Sequence, residues 1–192
     1  MTIHATEART RSARGGPLAP PSSFVAIDFE TCMGKRSSPI QIGVVRVLDG
    51  VIGRTNTSPV LPPPGYRTFE PGAQKVHGLT PDYIVGAPEW PEILHRLVRL
   101  SSTTDGGLLP LVAHNASFER QVIEKTSEAV GLTPPPFVYF DTVAYARQQV
   151  PDAPNHKLNT LVDHLGLGQF RHHDAGEDAA VTARLLLTLR DR

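Results

Sequence analysis

An α/β layer fold with a mixed sheet is what this 192-residue chain predicts, and three observations carry that reading. Short apolar runs open its patterned part, a two-residue hairpin signal joins two of them, and helical and strand patterns then alternate to the end. The composition agrees, because 40% hydrophobic and 20% charged residues suit an ordinary globular domain with a sizeable core. The length fits one domain.

Residues 1–22 carry no hydrophobic periodicity, hold Arg9, Arg11 and Arg14, and contain Pro17, Pro20 and Pro21, so they are expected to form a disordered arm. One domain at 23–192 remains. Residues 24–30 are short, apolar and preceded by proline and serine, which predicts a strand at the centre of the sheet. Residues 40–48 and 51–57 are two further strands, and Asp49-Gly50 between them makes the pair antiparallel. From Pro88 the spacing of Ile93, Leu94, Leu97 and Val98 gives the apolar stripe of a helix ending near Ser101. A strand at 108–113 and a helix at 116–130 follow, then a short strand at 137–140 with Asp141 placed to cap the next helix. Helices at 158–165, ended by Gly166, and 175–189 complete the pattern. The proline clusters at 62–64 and 134–136 read as turns.

Charge narrows the function classes. Nineteen basic and nineteen acidic residues cancel, which argues against a broad basic face gripping a long duplex and leaves room for a short nucleic-acid contact. Removing the arm takes away three arginines and Glu7, leaving 16 basic and 18 acidic groups, so the folded part is slightly acidic. No apolar run approaches the roughly 20 residues of a membrane span, and the N-terminus has no apolar signal core. A soluble, cytoplasmic protein is expected, and the single cysteine, Cys32, suits a reducing compartment.

Three constellations carry candidate chemistry. Asp28 and Glu30 stand two apart on a strand, so both carboxylates leave one face while Ile27 and Phe29 leave the other. Buried unpaired, they would cost several kcal/mol, so either that face is wet or the acids are paired or metal-bound. His114-Asn115-Ala116-Ser117-Phe118-Glu119 lies at a strand-to-helix junction, where Asn115 or Ser117 also suits an N-cap and Glu119 a first-turn acid. His173-Asp174-Ala175-Gly176-Glu177-Asp178 opens the last helix, with Asp174 as a cap and Glu177 closing a capping box in the plain structural reading. A histidine among acids is also a candidate proton acceptor.

Asp28-Phe29-Glu30, the stretch HNASFE at 114–119 and the H-x-A-x-x-D of His173, Ala175 and Asp178 have the order and spacing of the DEDD exonuclease superfamily, histidine subclass. The chain most resembles domains like the proofreading epsilon subunit of bacterial DNA polymerase III. Val76-His77-Gly78-Leu79-Thr80, Asp141-Thr142 and Lys157-Leu158 also sit where that family has similar residues. The resemblance implies a ribonuclease H-like fold, a five-stranded mixed β-sheet flanked by α-helices. It implies two divalent cations, Mg2+ or Mn2+, held by Asp28, Glu30, Glu119 and Asp178, with His173 as general base and His172 out of register for that role. By the same resemblance Phe29, Thr31, His77, Gly78, Leu79, His114, Asn115 and Phe118 line the pocket of the terminal nucleotide. For Phe118 a place in the helix core is an equal reading. Arg120, Arg147, Lys157 and Arg171 stand near the expected rim, where a solvated face is the plainer reading for each.

Glu119 departs from the family pattern, which has aspartate there. Its longer side chain binds metal directly, acts through water, or leaves a weak second site. The implied activity is 3′–5′ hydrolysis of single-stranded nucleic acid, DNA favoured over RNA, releasing nucleoside 5′-monophosphates, with a polymerase or DNA-repair partner. The alternative is a catalytically weakened binding or polymerase-associated module of the same fold. A third reading, a zinc hydrolase using His172, His173 and Asp174, has the least support.

Overall fold

The computed structural model describes residues 19–192, so the arm expected at 1–22 lies, as far as residue 18, outside the described residues. Among the described residues five strands form one sheet in the order β3-β2-β1-β4-β5. They are β1 (Phe24–Thr31), β2 (Pro39–Leu48), β3 (Val51–Pro59), β4 (Leu111–Ala113) and β5 (Tyr139–Asp141). β2 is antiparallel to both β1 and β3, whereas β4 runs parallel to β1 and β5 parallel to β4. Six helices flank them: α1 (Pro71–His77), α2 (Trp90–Ser101), α3 (Ala116–Ala129), α4 (Thr142–Gln149), α5 (Leu158–Leu165) and α6 (Ala175–Arg190). No helix among the described residues is long and apolar enough to cross a membrane.

The predicted hairpin forms because Asp49 and Gly50 both adopt positive φ, 48° and 80°, as a two-residue turn matched to strand twist requires. Two contacts anchor that turn to the start of β1. Asp49 N–H donates to Ser23 Oγ at 2.9 Å and Gly50 N–H to the Ser22 carbonyl at 2.8 Å.

Alternation along β1 builds the core on both faces of the sheet. Val25, Ile27 and Phe29 pack with Trp90, Ile93 and Leu97 of α2 and Val122 and Ile123 of α3. Phe24 and Ala26 pack with Ala179, Ala183 and Leu186 of α6. Ala146, Leu158 and Leu161 close over the other side of α6 against Val181, Leu185 and Leu189. Each such leucine, fully buried, contributes on the order of 1.5–3 kcal/mol. Asp28 and Glu30 share the parity of Phe24 and Ala26, so they face α6.

Two bare backbones set how close α6 comes. Gly43 is the ladder partner of Asp28, and a Cβ there would lie 1.8 Å from the Ala175 carbonyl oxygen. A Cβ on Gly176 would lie 2.0 Å from Thr57 Oγ1. The first turn of α6 therefore rests directly on β2 and β3, which carries Asp178 to Asp28.

Some elements differ from expectation. β4 starts at Leu111 rather than 108, because Leu108 makes an isolated bridge with Ser102 and Pro110 has no N–H to give a ladder. β5 lies at Tyr139–Asp141, slightly beyond the expected 137–140, since the β4 ladder pairs Leu111 with Tyr139 and Ala113 with Asp141. Helix α1 was not expected from the sequence, as its seven residues bury none and carry no apolar stripe.

Gly43→Ala is expected to lower stability by about 1–3 kcal/mol, the usual cost of overpacking. Thermal denaturation should show a loss of several degrees, with Gly72→Ala, where a Cβ meets nothing within 4 Å, as the control that loses no stability.

Candidate active site

A cavity of about 770 Å³ opens where the end of β1, the loop after β4 and the start of α6 converge. It gathers eleven of the thirteen residues that the resemblance assigns to the site: Asp28, Phe29, Glu30, Thr31, His77, His114, Asn115, Phe118, Glu119, His173 and Asp178. Gly78 and Leu79 do not line it. Gly78 ends α1 in the left-handed conformation, φ 72°, and Leu79 packs with Cys32, Ile40 and Ile84. Phe29 reaches the cavity with its ring held in the core against Trp90, centroids 6.1 Å apart. Phe118 combines the two roles weighed for it, packing on the core and lining the cavity, with the Arg36 guanidinium 4.2 Å above its ring.

The acids converge. One carboxylate oxygen from each of Asp28, Glu30 and Asp178 lies within 4.8 Å of the other two. Burial first, and the charges of Glu119, Asp178 and Glu30 next, push the Asp28 pKa well above the usual carboxylate range. Glu30 rises to about 8 through burial, with Asp178 and Asp174 adding to it. Burial raises Asp178 as well, against the hydrogen bond and charge of His172. Glu119, in the first turn of α3, is 2% exposed, and its Oε2 is buried without a hydrogen-bond partner. Its pKa is raised by burial, with Asp141 adding and Arg36 opposing. Glu119 stands outside the tight triad yet is the largest charge acting on Asp28.

Two histidines flank the acids. His173 adopts φ 67°, its N–H donates to Asp178 Oδ2 at 2.9 Å, and its Nδ1 lies 3.7 Å from Glu30 Oε1. A left-handed non-glycine residue costs on the order of 1 kcal/mol and is typical of functional segments. His172 Nδ1 lies 2.9 Å from Asp178 Oδ1, and its ring stacks on that of His173, centroids 3.9 Å apart. Motif spacing set His172 aside; only the turn before α6 shows it against the acid. His172, His173 and Asp178 can also gather ligand atoms within 4.8 Å. The zinc reading, however, loses Asp174. That residue caps α6 through Gly176 and Glu177 N–H and binds Arg171 at 2.7 Å.

Helix starts explain the other placements. Asp174 caps as expected, but the capping box stays open, since Glu177 Oε2 accepts the Arg171 N–H. Asn115, φ 77°, occupies the N-cap position of α3 without a side-chain cap bond. Instead its Oδ1 accepts from Ser117 Oγ, and its N–H donates to Asp141 Oδ1 at 3.2 Å. Asp141 also caps α4 through Val143 N–H at 2.8 Å, as predicted. His114 meets Thr142 Oγ1 through Nδ1 and the His156 carbonyl through Nε2, both at 2.9 Å. Burial holds its pKa below the ordinary value. Sequence reasoning did not find Met33, Gly34, Glu70 and His156, which also line the cavity from loops, because they form no motif.

The profile of the Exonuclease (RNase_T) family matches residues 25–186. The chain belongs to that exonuclease family. Among relatives, the PolC-type DNA polymerase III of Clostridium perfringens is 32% identical over 167 residues, covering 85% of this chain and 11% of that protein. The corresponding polymerase of Thermotoga petrophila is 29% identical, covering 86% of this chain and 12% of its own length. This exonuclease chain thus spans about a tenth of those polymerases. Among solved structures, Exonuclease X bound to 5′-overhanging duplex DNA superposes with a TM-score of 0.67 at 26% identity, covering 88% and 91% of the two chains. The DEDDh nuclease domain of 3′hExo bound to rAMP gives 0.74 at 19% identity, covering 88% and 92%. The fold is the ribonuclease H-like one, and the whole resembles the epsilon-type exonuclease domain of DNA polymerase III.

A divalent-cation role fits the donor set. Clustered carboxylate oxygens are hard ligands, a bound cation removes their mutual repulsion, and the buried Glu119 Oε2 has no protein partner. Asp28→Asn is expected to raise the melting temperature of the metal-free protein and to abolish the stabilisation that added Mn2+ gives the wild type; differential scanning calorimetry reads both.

His114 supplies a pH dependence with a definite sign. Its folded pKa lies below the ordinary 6.5, so the unfolded chain takes up the proton first. Its contribution to stability is full above pH 6.5 and is lost as pH falls through the lower folded value. The difference between wild type and His114→Gln in denaturant titrations should therefore be constant above pH 6.5 and shrink below it.

Proposed function

We propose that this chain is a metal-dependent 3′–5′ exonuclease that hydrolyses the terminal phosphodiester bonds of single-stranded nucleic acid, DNA in preference to RNA, and releases nucleoside 5′-monophosphates. The observation that carries the proposal is the convergence of Asp28, Glu30 and Asp178 oxygens within 4.8 Å, beside a partnerless Glu119 oxygen and two imidazoles. Support for the substrate comes from its relatives. Exonuclease I of E. coli is seen in complex with a dT13 oligonucleotide, and a 3′-exonuclease with histone mRNA stem-loop. The similarity to DNA polymerases favours DNA and a polymerase or repair partner.

Asp28, Glu30, Glu119 and Asp178 would hold two Mg2+ or Mn2+ ions. Such a pair, when bound, stabilises the attacking and leaving oxygens of an in-line displacement. His173, its Nδ1 turned to Glu30, takes the proton of the attacking water at Nε2. His172 keeps that ring in place by stacking and holds Asp178 by its hydrogen bond. Asn115 and Phe118 border the space left for the terminal nucleotide.

A weakened binding module is the second reading, favoured by the position of Glu119 outside the triad. A 5′-labelled oligonucleotide incubated with Mn2+ or Mg2+ separates the two. A ladder shortened from the 3′ end, absent with Asp28→Ala and slowed about 10²–10⁴-fold by His173→Ala, is the expected result. Intact strand that the wild type still binds would favour the module. Matched RNA read in the same assay tests the sugar preference.

A further inference from the structure

We propose that Lys157 is the residue that grips a backbone phosphate of the incoming strand, and that His114 is the positioning residue that keeps it at the cavity wall. The inference rests on the exonuclease reading above and deepens it. Five acidic residues line the cavity, Asp28, Glu30, Glu70, Glu119 and Asp178, against a single Lys or Arg among the described residues, Lys157. Among the residues that line the cavity, Lys157 is therefore the one Lys or Arg that a polyanionic strand meets.

The other basic residues placed near the rim by sequence are spent or elsewhere. Arg171 pairs with Asp174 at 2.7 Å and Glu177 at 3.6 Å. Arg120 lies along α3, 4.0 Å from Glu124, and Arg147 stands in the last turn of α4. Lys157 is exposed and occurs in none of the salt bridges among the described residues.

Its backbone is fixed on both sides. The Lys157 N–H donates to Asn155 Oδ1 at 3.0 Å, its carbonyl accepts from Leu161 N–H at 3.0 Å, and Leu158 is buried beside α6. His156, the residue before it, is pinned twice. Its Nε2 donates to the Val150 carbonyl at 3.1 Å, and its carbonyl accepts from His114 Nε2 at 2.9 Å. A carbonyl only accepts, so His114 Nε2 carries the hydrogen, and Nδ1 lies 2.9 Å from the Thr142 hydroxyl, which also has the Ala113 carbonyl at 3.3 Å. With both ring nitrogens engaged, His114 has none to offer a nucleotide. Its influence on the strand runs through the 156–157 segment, where a compact ammonium suits a non-bridging phosphate oxygen.

The test measures binding of a single-stranded DNA oligonucleotide across a salt series, with His173→Ala as the background that slows hydrolysis. Lys157→Gln is expected to weaken binding several-fold and to flatten the slope of log K against log salt by about 0.7, the value of one single-strand phosphate contact. In the active protein it should raise KM more than it lowers kcat, and Lys157→Arg should restore most of the loss. His114→Ala should flatten the slope similarly, Lys157→Gln added to it should change little more, and His114→Gln, which keeps the donor, should recover. A merely structural role for His114 leaves the salt slope as it was. An unchanged slope in Lys157→Gln while the protein binds and cleaves DNA overturns this inference and leaves the exonuclease reading standing. A flattened slope with no cleavage by wild type does the reverse, and absence of any DNA binding overturns both.

Discussion

Like charge held out of water is the constraint from which the rest of the molecule follows. Two unit charges 4 Å apart repel by about 4 kcal/mol at an effective dielectric of 20. Three such pairs approach the whole net stability of a domain, about 5–15 kcal/mol. Asp28, Glu30 and Asp178 meet within 4.8 Å with Glu119 beside them, so the cluster is tolerated only with protons held or with positive charge brought in. The upward pKa shifts are the first solution, adopted by the chain alone. Holding the acids together against repulsion takes rigid walls, and the packed faces of β1 with α2, α3 and α6 supply them.

The approach of α6 is the step that turns a sheet into a site. Gly43 sits across the ladder from Asp28, and Gly176 sits two residues before Asp178. A side chain at position 43 would drive backbone from backbone at Ala175, and one at 176 would collide with the Thr57 side chain. The glycine at position 43 thus fixes the distance between acids that are 150 residues apart in sequence.

Local rules made much of this legible, and the limits of those rules mark what was not. Period two along β1 placed Asp28 and Glu30 on one face, and the Asp49-Gly50 turn fixed the register of its neighbours. The cap of α4 by Asp141 followed from residue type alone. Helix α1 escaped because a seven-residue surface helix needs no apolar stripe. The open capping box escaped because Glu177 found a nearer donor in the turn, the Arg171 N–H. His172 escaped for a geometric reason. Adjacent residues normally diverge, but the left-handed His173 folds the chain so that both rings stack and both residues reach Asp178.

Glu119 is where sequence pattern and geometry press hardest on each other. A carboxylate 2% exposed, with one oxygen lacking any partner, is an expensive occupant of the first turn of α3. The favourable terms around it are small. The helix N-terminus contributes about 0.3–1 kcal/mol, and the Arg36 charge that lowers its pKa is itself turned over the Phe118 ring. Burial raises the Glu119 pKa, so the chain alone keeps the group neutral by holding a proton, and its Oε2 still has no hydrogen-bond partner. In a docking module nothing offsets that cost. In a hydrolase Glu119 lines a cavity that gathers four other carboxylates, and one added methylene lengthens its reach toward what they hold. The energetic burden of Glu119 therefore weighs toward the hydrolase, even though its oxygens stand apart from the triad.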